Sequence, residues 1–192
     1  PRDSIAAALA DWLRTHGTQA DVRIQARATV GMSQETWFGT AETDGTVHEI
    51  VLRLPTAASG GHSIIAQRSA LQAVAGHGLP VPALMWFDDG SDSAFGRPFI
   101  VMARAPGQVP IGWNEIAEPL RTALAGQAID ILVALHSIDV ASTVLAGSKP
   151  PPSMSLEGLH RLFCRLEPLP PAVNAAFWWL ERHRPPPSLR ST

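Results

Sequence analysis

Arg53 stands in the middle of an apolar run, Ile50-Val51-Leu52-Arg53-Leu54-Pro55. A buried strand does not tolerate an unpaired guanidinium, so this side chain must either meet an anion or reach water from a solvated strand face. A phosphate suits the bidentate fork of an arginine. Upstream, Gly31-Met32-Ser33-Gln34-Glu35-Thr36 is a short polar stretch between two candidate strands. A small turn of this kind presents backbone N–H groups to anionic oxygens, and Ser33 and Thr36 add hydroxyl donors; the same composition also suits an ordinary polar hairpin loop. His136 lies beside Leu132 and Leu135 near the end of a helical pattern, a setting that favours a structural role. No two histidines have zinc-site spacing, and the single Cys164 cannot build a thiolate site.

Composition narrows the classes. The chain has 192 residues, 45% of them hydrophobic, and a formal net charge of -2 with no basic stripe, which argues against nucleic acid or an anionic membrane as the main partner. No apolar run reaches the length of a membrane span. One cysteine excludes an internal disulfide framework, so a reducing cytoplasm is the expected compartment. The opening Pro1-Arg2-Asp3-Ser4 reads as the start of an amphipathic segment and not as a signal peptide.

The elements that must hold these residues follow from periodicity. Asp3-Ser4 can cap a first helix with Ile5, Leu9, Trp12 and Leu13 on one face. Strands are expected over 22–29, 37–42 and 48–54, the last two joined at the Asp44-Gly45 hairpin turn. Alternation puts Ile50, Leu52 and Leu54 on one face of the third strand and Val51 and Arg53 on the other. Residues 63–76 form a helix with Ile64, Leu71 and Val74 inward and Gly76 as its stop. Two more strands, 84–87 and 98–103, flank a turn rich in Asp, Gly and Ser. From Asn114 onward the pattern is helical, over 114–137 (with a break near Pro119), 155–166 and 172–183, separated by proline clusters. Strands with one inserted helix, followed only by helices, predict an α+β chain: a mainly antiparallel sheet of about five strands, then helices.

At these spacings the sequence resembles the aminoglycoside phosphotransferase family, whose fold is protein-kinase-like. The resemblance rests on Gly31 to Trp37, Ile50 to Pro55, Leu79-Pro80-Val81-Pro82, Gly96 to Met102 with Gly107 after it, and Leu135-His136-Ser137-Ile138-Asp139. It covers about residues 20 to 140. It implies a nucleotide-binding lobe over 1–103 with a leading helix, a connector over 104–110, and the start of a helical lobe over 111–192. It implies ATP or GTP with Mg2+ as cofactors, and transfer of a phosphoryl group to a hydroxyl of a small molecule. The alternative is a non-catalytic nucleotide-binding or interaction module.

The same resemblance assigns roles. The loop with Gly31, Ser33, Gln34 and Thr36 covers the nucleotide phosphates; Gln34 stands where members commonly carry Asn. Arg53 takes the α- and β-phosphates, in the place of the usual strand lysine. Gln67 falls where a helix glutamate usually pairs that cation, and supplies an acceptor without charge. Met102, Ala103 and Arg104 lend backbone groups to the base, although Met102 alone also reads as packing. The family's catalytic aspartate follows a His-Gly pair, and a later aspartate holds metal. This chain contains no Gly-Asp pair and no Asp after Asp139. The expectation is a sequence that stops ahead of the catalytic loop, with no catalytic residue and no metal ligand of its own.

Overall fold

The computed structural model describes residues 2–29, 34–56, 62–107, 112–147, 156–164 and 169–184. Helix α1 (Arg2–Thr15) leads into a five-stranded sheet built from β1 (Asp21–Arg27), β2 (Gln34–Thr43), β3 (Thr46–Pro55), β4 (Leu84–Asp88) and β5 (Phe99–Ala103), with α2 (His62–Val74) inserted before β4. The order across the sheet is β1-β2-β3-β5-β4, and every neighbouring pair is antiparallel. This is the α+β arrangement that the strand spacing predicts. The β2–β3 hairpin closes on Asp44 and Gly45, both with positive φ (50° and 73°), the backbone pair of a tight two-residue turn.

Each face of the sheet has its own cover. On one, Leu9, Trp12 and Leu13 of α1 pack on Val22, Trp37, Ala41, Ile50, Leu52, Leu54, Phe99 and Val101. On the other, Ile64 and Leu71 of α2 pack on Val51, Leu84, Phe87, Ile100 and Met102. Both alternating sets of β5 are therefore buried, Phe99 and Val101 under α1 and Ile100 and Met102 under α2. That is why Phe99-Ile100-Val101-Met102 reads as an unbroken apolar run. α1 begins at Arg2, so Asp3 lies in its first turn and does not precede it as a cap. At its other end His16 stacks on Trp12, with ring centroids 4.0 Å apart, and its Nε2 lies 3.6 Å from Asp92 in the β4–β5 turn.

The helical part begins with a 3-10 turn at Trp113–Glu115 and continues as α3 (Glu118–His136), α4 (Leu156–Phe163) and α5 (Pro171–Arg182). Pro119 does not break α3. It sits in the first turn, where its missing N–H costs nothing. α4 and α5 meet through Phe163, His160 and the buried Phe177. Of the run Phe177-Trp178-Trp179, Phe177 is buried, whereas Trp178 and Trp179 are 56% and 54% exposed. No helix among the described residues is long and apolar enough to cross a membrane.

Candidate functional site

The strand register decides which side chains share the face under α2. Residues directly opposite in adjacent antiparallel strands point the same way. One row across the sheet is Thr36, Arg53, Ile100 and Phe87. The next is Ala26, Phe38, Val51, Met102 and Leu84. Gln34, two residues before Thr36, lies on the same face of β2. Arg53 thus sits beside Thr36, on the side opposite the α1 core. The β1–β2 ladder closes next to them, where the Ala28 N–H donates to the Thr36 carbonyl at 2.8 Å. Gly31 and Ser33 lie outside the described residues.

α2 supplies the roof. Its inward positions Ile64, Gln67, Arg68 and Leu71 recur at the three- and four-residue spacing of one helix face. Two of the four are polar. Among the described residues, Arg53 Nε, Gln67 Oε1 and Arg68 Nε are all closed to solvent and without a hydrogen-bond partner. Buried polar atoms of this kind are rare, and each calls for a ligand, a water or a movement that satisfies it. Arg53 Nε is a donor and Gln67 Oε1 an acceptor, so the two orphans are complementary. α2 contains no acidic residue, and among the described residues no carboxylate pairs with Arg53 or Arg68. The Arg68 guanidinium instead lies over the Phe87 ring, 4.4 Å from its centroid. Across the sheet, Arg97 holds Glu35 at 3.3 Å and donates to the Pro55 carbonyl at 2.5 Å, anchoring the end of β3 from the opposite side.

At the end of β5 two backbone amides are already engaged. The Ala103 N–H donates to the Ala83 carbonyl and the Arg104 N–H to the Glu49 carbonyl, both at 2.9 Å. These two amides are committed to the sheet, so they are not free donors for a base. Met102 is buried against Ile64, which is packing. The Arg104 side chain turns back over β2, its guanidinium 5.3 Å from the centroid of the Phe38 ring. Phe38 is half-buried, belongs to neither core cluster, and faces the same side as Arg53. Sequence reasoning missed it. The available signal was an aromatic two positions after Thr36, hence on the same strand face, and it was hidden because Trp37 beside it is the more obvious core residue.

His136 is exposed in the last turn of α3. No group of three His, Cys, Asp or Glu side chains among the described residues could hold a metal ion. A cavity of about 250 Å3 at the end of α2, lined by Leu71, Ala75, Val81, Pro82 and Leu84 among others, offers no charged group.

No curated protein matches the chain. The model of the phosphotransferase enzyme family, APH, matches residues 25–191, a span that takes in the strand carrying Arg53, the α2 roof, the β5 end and the helices after it, and the chain belongs to that family.

Proposed function

We propose that this chain binds a nucleoside triphosphate on the α2 face of its sheet, as the donor site of a phosphotransferase acting on a hydroxyl of a small molecule. The polyphosphate lies against Arg53, Thr36 and Gln34, and Gly31 and Ser33 supply further donors to it. The base lies toward Phe38 and the β5 end. Two residues separate the Arg53 row from the Phe38–Val51 row, roughly 7 Å along the strand, a gap suited to a ribose. On this reading residues 1–103 form the nucleotide lobe, 104–110 the connector and 111–192 the first helices of a second lobe.

The observation that carries the proposal is the state of Arg53. Its Nε is shut off from water, has no partner, and faces a helix without a carboxylate. An anion with several oxygens both accepts from such a group and balances its charge, which a neutral acceptor does not. Gln67 adds an uncharged acceptor that can hold the guanidinium in place without neutralising it. Calorimetric titration of the 192-residue chain with ATP and GTP tests this. At least one should bind, and Arg53→Ala should weaken that binding by about 1.5–3 kcal/mol, the scale of a lost charged hydrogen bond. Binding that is indifferent to Arg53→Ala sinks the assignment.

For these 192 residues taken alone, a second reading is a nucleotide-binding module without chemistry. The 192 residues contain no Gly-Asp pair and no Asp after Asp139. In the phosphoryl-transfer template, one aspartate positions or deprotonates the attacking hydroxyl and others hold the metal ions. Asp88 caps the Gly90 N–H in the β4–β5 turn, Asp130 lies within α3, and Asp139 caps the Ala141 N–H. None lies on the Arg53 face of the sheet.

A further inference from the structure

We infer that Arg104 makes this a site for guanine nucleotides in preference to adenine nucleotides; the inference rests on the nucleotide reading above. Three observations carry it. The first is the loss of backbone donors. With the Ala103 and Arg104 amides bonded to Ala83 and Glu49, the β5 end has no free N–H at these two positions to offer an acceptor on a base. Donation to an acceptor on the base at these two positions therefore falls to side chains. The second is the platform. Phe38 is a half-buried aromatic that no core cluster uses, one row from Arg53 on the same face. Every nucleobase has a π-face that can stack on such a ring, so Phe38 alone does not choose between bases.

The third is the cation above the platform. The Arg104 guanidinium lies 5.3 Å from the Phe38 centroid, on an exposed side chain whose stem leaves the sheet two residues after Met102 and hence on the same face. Glu49 shares this face two residues from Val51, yet no ion pair ties it to Arg104. A guanidinium has five donors and no acceptor. A purine that stacks on Phe38 displaces it from the ring face to the base edge. Guanine presents two acceptors there, O6 and N7, which match the fork. Adenine presents N7 beside the N6 amino donor, so one arm of the fork meets another donor. The choice therefore lies in the 6-substituent and not in the 2-amino group.

The test uses the full 192-residue chain and calorimetric titration with ATP, GTP and ITP. ITP keeps O6 and N7 and lacks the 2-amino group. GTP and ITP should bind alike, each about tenfold or more tighter than ATP, the scale of one bidentate base contact. Arg104→Met keeps the stem and removes the fork; it should bring all three to the affinity of ATP while leaving the dependence on Arg53 intact. ATP binding as tight as GTP binding overturns the Arg104 assignment and leaves the nucleotide site standing. ITP weaker than GTP by the same tenfold also overturns it, because the 2-amino group would then be what is read. A chain that binds none of the three overturns the nucleotide reading and this inference together.

Discussion

Arg53 and Gln67 show how a single uncharged substitution changes what a site stores. On the nucleotide-site reading, a carboxylate at position 67 would offer Arg53 a partner before any ligand arrives. Gln67 leaves Oε1 buried and unbonded. Such a group costs its desolvation free energy, so replacing it by an apolar residue of similar size removes a penalty. Gln67→Leu should therefore raise stability by about 1 kcal/mol in urea unfolding, and it should weaken nucleotide binding. A loss of stability would mean that Oε1 is bonded in solution, through water or through Arg53. Asp89 makes a separate, smaller point. Its hydrogen bonds to Ser91 hold its carboxyl below its ordinary value of 3.8, helped slightly by the Arg68 charge. A depressed folded pKa contributes stability above the unfolded value and loses it as pH falls through the folded value. Asp89→Asn should thus destabilise the chain slightly near neutrality and make no difference once both states are protonated, well below pH 3.8; paired unfolding curves across that range check it.

Among elements, the β1–β2 pair is the one most tightly specified by a single residue. A Cβ added at Gly39 would lie 2.3 Å from the Arg23 carbonyl oxygen, which is backbone and cannot turn aside. The same pair carries the irregular register between Ile24 and Ala26. Gly39→Ala must push β1 away from β2, at a cost of about 1–3 kcal/mol, the usual scale of overpacking. Gly126 is the control. It lies within α3, and an added Cβ meets nothing within 4 Å. Gly126→Ala should stabilise by about 0.5–1 kcal/mol, because glycine loses more freedom than alanine on entering a helix. Thermal melts of the two single variants should shift in opposite directions. A downward shift for Gly126→Ala would place a neighbour against α3 in solution.

For the molecule as a whole, α3 is the anomaly. Its Ile129, Leu132 and Val133 are 62%, 50% and 60% exposed, and apolar residues occur on all its sides. A helix of that kind ordinarily lies inside a larger core. The 192-residue chain should bind a hydrophobic dye strongly, and the double variant Ile129→Lys with Val133→Lys should reduce that signal and raise solubility. Dye binding unchanged by the double variant would move the apolar surface elsewhere. The same chain should release no ADP or GDP above background when incubated with ATP or GTP, magnesium and a panel of amino sugars, amino alcohols and hydroxy acids, since among the described residues the sheet row of Arg53 (Thr36, Ile100 and Phe87) carries no carboxylate or imidazole to act as a base toward a hydroxyl. Turnover abolished by Arg53→Ala would show that a base is present after all.

Periodicity alone determined much of this. Alternation in Ile50 to Leu54 separates Arg53 from the α1 core, because the side-chain period of a strand is two whatever surrounds it. Asp44-Gly45 specifies its turn, because few residues reach positive φ there. Strands followed by helices predict the α+β class, and the spaced segments from Gly31 to Asp139 carry the family. Non-local pairing decided the rest. Phe38 becomes a candidate platform only when β2 lies in register with β3 and Arg104 returns over it, contacts between residues far apart in the chain. The Ala103 and Arg104 amides are withdrawn by Ala83 and Glu49, which no local pattern reveals. The burial of both faces of β5 likewise depends on two helices arriving from opposite ends of the strand order. Local sequence sets which way each side chain points along its own strand; only the packed sheet sets what it then faces.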